Sequence, residues 1–168
     1  RQSVDVLCKT IENDMELGIR AHMLFGVVDD EDKDPMATKA SDSSMPLQTA
    51  VRQLKSKFGS DIVVMTDVCL CTATDHGHCG TLDKNKLVNN DETLVTLSSM
   101  AKSMCDAGVD IVAPSSMMDG QVHAIREKLD SNNYENKIIM SYSTKFASSL
   151  YDPFRDAENS QPSSGDRK

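Results

Sequence analysis

The run Asp61-Ile62-Val63-Val64-Met65-Thr66-Asp67-Val68-Cys69-Leu70-Cys71 decides the fold. Its first half is apolar with little alternation, the pattern of a parallel strand covered on both faces. Its second half places an acid and two thiols at the strand's exit. Residues two apart on a strand point the same way, so Asp67, Cys69 and Cys71 share one direction. Three more apolar runs, 21–28, 108–114 and 137–144, repeat the strand pattern.

Helical patterns fall between these runs. Leu47, Ala50, Val51, Leu54 and Phe58 share one face, and Pro46 suits a first turn. Leu94, Leu97, Ala101, Met104 and Cys105 form a second apolar face, with Asp91 as the expected cap. Val122, Ile125 and Leu129 form a third, and Val4, Leu7 and Ile11 begin a helix ahead of the first strand.

Strand and helix in alternation define an α/β chain. The exits of three successive strands carry Asp67/Cys69/Cys71, then Ser115/Ser116/Asp119, then Lys145. Chemistry gathered from several strand ends is how a TIM (β/α)8 barrel builds a site. A doubly wound sheet would carry a glycine-rich turn after its first strand, and Gly26-Val27-Val28-Asp29 is not one. Four strands make only half of such a barrel, which takes about 250 residues, and half a barrel leaves two strand edges unpaired. The expectation is therefore one partial barrel domain over 1–168, a piece of a longer chain. Residues 29–44 read as an exposed polar loop. Residues 148–168 lack periodicity and read as a disordered end or part of an active-site lid.

With 168 residues, the chain has enough length for one real core. A net charge of −8 without a basic stripe argues against nucleic acid as a partner. No apolar run approaches the roughly 20 residues that span a bilayer, and residues 1–11 do not read as a secretion signal. Five cysteines in no framework pattern suit a reducing compartment, so the expected location is the cytoplasm. Cys8 and Cys105 lie on helical patterns and read as core fillers.

Cys79 follows a turn containing Gly77 and can fold back to complete a three-thiolate cup. Three protein ligands with an open fourth position suit a catalytic zinc ion; a redox disulfide, a structural metal and coincidence are the rivals. His76 or His78 could add a fourth ligand or simply bond to backbone. Lys145 reads either as a solvated strand-end lysine or as an amine that forms a Schiff base. The second role needs its pKa brought from about 10.4 to about 7–8. Asp67 could meet a substrate amine or cap a loop amide, and Asp119 could cap the helix after it. Arg155 and Arg167 have the planar fork that suits carboxylates, although tail arginines are commonly just solvated.

Several stretches together carry a resemblance. They are Asp67-Val-Cys-Leu-Cys71 with Gly77-His-Cys-Gly80, and Val112-Ala-Pro-Ser115 with Met117-Met-Asp-Gly120. Ser141-Tyr-Ser-Thr-Lys145-Phe-Ala-Ser148 follows, then Tyr151 with Pro153-Phe-Arg-Asp-Ala157, and Gly165-Asp-Arg167. In this order they are similar to the delta-aminolevulinic acid dehydratase (porphobilinogen synthase) family. The resemblance implies a TIM barrel that condenses two molecules of 5-aminolevulinate into porphobilinogen with loss of two waters, in haem and tetrapyrrole synthesis. It implies Cys69, Cys71 and Cys79 as zinc ligands, Lys145 as the first of two active-site lysines, and Asp67 and Ser115 as contacts of the first-bound substrate. Arg155 and Arg167 become lid arginines for the second substrate's carboxylate, and the assembly becomes a homo-octamer.

The family's second lysine is expected beyond Lys168, so the present stretch alone is expected to be inactive. The other reading is a truncated, non-catalytic zinc-binding subunit. Five positions depart from the family pattern: Thr72-Ala73 for Pro-Tyr, Ser116 for aspartate, Gln121 for arginine, and Asp152 for glycine. The last matters if that glycine needs positive φ.

Overall fold

Four strands pair in chain order into one parallel sheet: β1 (Ala21–Leu24), β2 (Val63–Val68), β3 (Ile111–Pro114) and β4 (Ile138–Ile139). The computed structural model describes residues 1–146 and 148–164. Helices α1 (Val4–Glu16), α2 (Pro46–Phe58), α3 (Asn90–Ala107) and α4 (Gln121–Asp130) alternate with the strands, and α5 (Tyr151–Glu158) follows the last. Met65 pairs with Met23 on one side and Ile111 on the other, and Asp67 pairs with Ala113. This register aligns the exits of β2 and β3.

The strands are shorter than their apolar runs. β4 has two residues in regular pairing, yet the ladder continues through Met140 N–H to the Val112 carbonyl (2.9 Å) and Tyr142 N–H to that of Pro114 (3.1 Å). Lys145 thus stands in an irregular segment just past the last inter-strand bond, not on the strand. Only one sheet face is fully covered. Val64, Thr66, Val68 and Val112 are wholly buried beneath the helices, whereas Val63 (38% exposed) and Ile138 (57%) lie on the opposite, concave face. That face closes only toward the strand exits, at Asp67, Ala113 and Ser115.

The helices follow their apolar faces. Leu54, Leu97, Met104, Ile125 and Leu129 are buried against the sheet, and Pro46 sits in the first turn of α2. Cys105 is buried as expected, and Cys8 is half-buried against the core. Four local expectations are corrected. The cap of α3 is Asn89, whose side chain accepts the Glu92 N–H, while Asp91 lies in the first turn. Asp119 caps nothing through its side chain: Gly120 is the N-cap of α4, and the Asn90 side-chain amide pairs with the Asp119 backbone. Residues 151–158 form a helix, because Pro153 falls in the first turn, where its missing N–H costs nothing. Asp152 sits in that same turn, so no positive φ is needed there. The 29–44 segment is more ordered than an exposed loop. It carries two short 3-10 turns, buries Ala37 and Ala40, and is tied to α2 by the buried Gln48 amide at the Ala40 carbonyl (3.0 Å).

One carboxylate joins three elements behind the sheet. Asp110 accepts from Val64 N–H (2.8 Å) and from Lys55 Nζ (3.0 Å), and Lys55 also reaches the Ile62 carbonyl. Asp110→Ala strands both donors and is expected to cost about 1–3 kcal/mol, read as a lowered urea midpoint; Asp110→Asn, which keeps an acceptor, should lose less. Burial pushes the Cys105 thiol up to about 11, whereas in the unfolded chain it ionises near about 8.5. Its contribution to stability is complete below the lower value and is lost as pH rises through the window. Cys105→Ala is therefore expected to show a shallower fall in urea midpoint than the parent between about pH 8.5 and 10.5.

Candidate active site

β2 delivers Asp67 and Cys69 to the concave side, and a single 3-10 turn over Leu70–Thr72 swings Cys71 back beside them. The Cys69 and Cys71 sulfurs lie 3.3 Å apart, and all three sulfurs of Cys69, Cys71 and Cys79 fall within 4.8 Å of one another. No disulfide joins them. A tetrahedral centre with metal–sulfur bonds of about 2.3 Å spaces its sulfurs by roughly 3.8 Å, so the cup has the right scale. Its electrostatics point the same way. The hydrogen bond between the Cys69 and Cys71 thiols favours ionising Cys69, but the neighbouring Cys79 and burial outweigh it and push the Cys69 thiol up. Cys69, Cys79 and burial push the Cys71 thiol up further. Three crowded thiols cannot all ionise unless a cation offsets their mutual repulsion. The donor set fits a thiophilic dication.

Among the described residues the three sulfurs are the one group close enough to share an ion. His76 sets Nε2 3.3 Å from the Pro35 carbonyl and accepts the His78 N–H at Nδ1 (3.1 Å), so its bonds go to backbone. Gly77 has φ +70°, and a Cβ there would collide with the Gln161 carbonyl. The loop is thus pressed against the segment after α5, and Ser163 N–H donates to the His76 carbonyl (2.9 Å).

The other candidates gather beside the cup. Ser115 and Ser116, at the exit of β3, face its two sides. Lys145 Nζ donates to the Ser115 carbonyl (2.7 Å), and Ser116 Oγ donates to that of Cys79 (3.4 Å). Asp67 lies between. Burial, then the neighbouring Cys69, pushes its carboxyl up to about 7, opposed by the Ser115 hydroxyl and the Lys145 charge. One carboxyl therefore senses both a sulfur of the cup and the amine. Lys145 Nζ stands 5.8 Å from the Tyr142 ring centre and 5.9 Å from that of Tyr151. The Arg155 guanidinium carbon is 5.5 Å from the centre of the same Tyr151 ring. Arg167 lies outside the described residues.

Sequence reasoning missed Tyr142 as a neighbour of Lys145 and Asn90 as the brace of the Ser115–Gly120 loop. Tyr142 stands three residues before Lys145, in a chain with only three tyrosines, and that was the available signal.

Parallel strands whose exits bring thiols, a carboxyl, a hydroxyl and an amine to one mouth define the α/β-barrel class. The family model described as delta-aminolevulinic acid dehydratase matches residues 1–168, and the chain belongs to that family. It is 50% identical over 167 residues to the delta-aminolevulinic acid dehydratase of Methanothermus sociabilis, covering 99% of this chain and 51% of that protein. The Helicobacter pylori relative of the same name is 46% identical over 168 residues, covering 100% and 51%. The crystal structure of delta-aminolevulinic acid dehydratase (porphobilinogen synthase) from Toxoplasma gondii ME49, in complex with the reaction product porphobilinogen, superposes with TM-score 0.96 at 40% identity. It covers 100% of this chain and 48% of that one. The chain spans about half the length of the curated relatives it matches, and its four parallel strands are half of a TIM barrel.

Cys79→Ala is expected to abolish stoichiometric binding of Co2+, used as a spectroscopic probe, with loss of the thiolate-to-cobalt charge-transfer band. An unchanged band in the variant would remove Cys79 from the ligand set.

Proposed function

We propose that the full-length protein condenses two molecules of 5-aminolevulinate into porphobilinogen, releasing two waters. The observation that carries this reading is the placement of Lys145 and Ser115 beside Asp67, which itself adjoins the three-sulfur cup through Cys69. Porphobilinogen bound to the Toxoplasma gondii relative supports the substrate class.

Lys145 supplies the nucleophile. Its neutral amine adds to the ketone of one substrate and expels water, leaving a Schiff base that acts as an electron sink for the neighbouring carbon. Asp67, whose carboxyl is raised toward neutrality by burial and by Cys69, stands where it can exchange a proton or hold the substrate amine. Ser115 fixes the lysine through its carbonyl and presents its hydroxyl toward Asp67. Arg155, held on the Tyr151 ring, provides a planar fork for a substrate carboxylate, with Arg167 as its expected partner. Cys69, Cys71 and Cys79 would hold a zinc ion. When bound, that ion supplies Lewis acidity toward the second substrate's carbonyl or a water of lowered pKa. A cytosolic homo-octamer completes the proposal.

Activity is tested on the complete chain, because the resemblance places a second lysine beyond Lys168. Lys145→Ala is expected to lower porphobilinogen formation by at least about 100-fold, close to 3 kcal/mol in the barrier, with zinc content at the parent's level. Turnover at the parent's rate in that variant would defeat the assignment.

A further inference from the structure

The C-terminal end of α5 is held by side chains from a distant part of the chain. Lys33 Nζ donates to the Asn159 carbonyl (2.7 Å) and to Asp30 Oδ1 (2.9 Å). Asn159 Nδ2 donates to the same Asp30 oxygen (2.8 Å). One carboxylate oxygen thus ties together an ammonium and the residue that ends the helix. Lys33 and Asn159 accordingly hold the Asp30 carboxyl below its ordinary value.

The last carbonyls of a helix lack internal partners and carry its negative end, so cations are favoured there. Here Arg1 Nε takes the Ala157 carbonyl (2.8 Å) and Lys33 takes that of Asn159, a residue in the left-handed region (φ +57°). An exposed ion pair would be worth little. The Lys33 side chain, however, is only 7% exposed, while that of Asp30 is 83% exposed. The ammonium is enclosed and points at backbone, so it works as a clamp rather than as surface charge.

What the clamp fixes is the position of Arg155, four residues before Asn159. The helix rests on the β1 side through a T-shaped contact of Phe154 with Phe25 (ring centres 5.1 Å apart), and Lys33 fastens its end to the same side. We propose that Lys33, with Asp30, is a positioning residue: it fastens α5 over the barrel mouth and so sets where the Arg155 guanidinium meets a substrate carboxylate. This rests on the function proposed above, which gives Arg155 that partner.

The test uses the full-length protein and the variants Lys33→Met, Lys33→Arg and Asp30→Ala. Lys33→Met is expected to raise KM for 5-aminolevulinate about tenfold, the scale of one charge-assisted hydrogen bond, with kcat within about twofold of the parent. Tryptic cleavage after Arg155, followed by mass spectrometry, should accelerate by a similar factor, because that bond is cut when the helix lifts. Lys33→Arg should restore most of both losses. Asp30→Ala, at an exposed side chain, should move both readouts in the same direction by less, and it decides the matter if Lys33→Met does not fold. Parent KM and parent cleavage rate in Lys33→Met would overturn the proposal. So would an equal fall in kcat, Co2+ binding and unfolding midpoint, which would mark a general structural role. If the parent forms no porphobilinogen, the proposed function fails, while the cleavage rates still judge the clamp.

Discussion

The parallel ladder between β2 and β3 is the constraint on which the rest depends. Pairing Asp67 with Ala113 and Val68 with Pro114 brings both strands to an end at the same height. The Ser115 N–H then bonds to the Val68 carbonyl (3.2 Å), which carries the ladder one residue past β3. A slip of one residue would turn every side chain to the opposite face. Asp67 and Cys69 would enter the helix-covered core, and the sulfur cup would not form. Val64, Thr66 and Val68, wholly buried on that covered face, fix the register by leaving no room for such an exchange.

The site draws its character from crowding in a dry place. Thiols that sit this close favour the protonated form, and burial strengthens that preference. The same surroundings lift the Asp67 carboxyl toward neutrality, while the Lys145 charge pulls it back. A cation among the sulfurs would reverse the local balance, because its own charge dominates a site of this kind. The cup, the acid and the amine thus form one electrostatic unit, with Ser115 and Ser116 as the covalently adjacent link between its two sides.

Most of this framework is legible in the letters. The unalternating apolar runs mark parallel strands, and strand alternation aims Asp67 and Cys69 alike, but Cys71 arrives beside them through the Leu70–Thr72 turn and not on a strand. The missed parts share a cause: they depend on partners remote in sequence. Asn89 outcompetes Asp91 as cap because chain entry at residue 89, tied by Asn89 N–H to the Thr81 carbonyl, sets where α3 begins. The short helix at 151–158 is stabilised by Phe25, Lys33 and Arg1, none of which a local window contains. The ordered 29–44 segment likewise depends on Gln48, whose amide also bonds to Ser103 Oγ.

The three sulfurs all lie between Cys69 and Cys79 in sequence, whereas the lysine reaches its place after a crossover through α4 and β4. Short closures cost little chain entropy and long ones must wait for more of the chain. On the proposed function, a nascent polypeptide would bring its three thiols within reach of an ion before Lys145 has left the ribosome, so that metal supply would act on the folding of this region as well as on its chemistry.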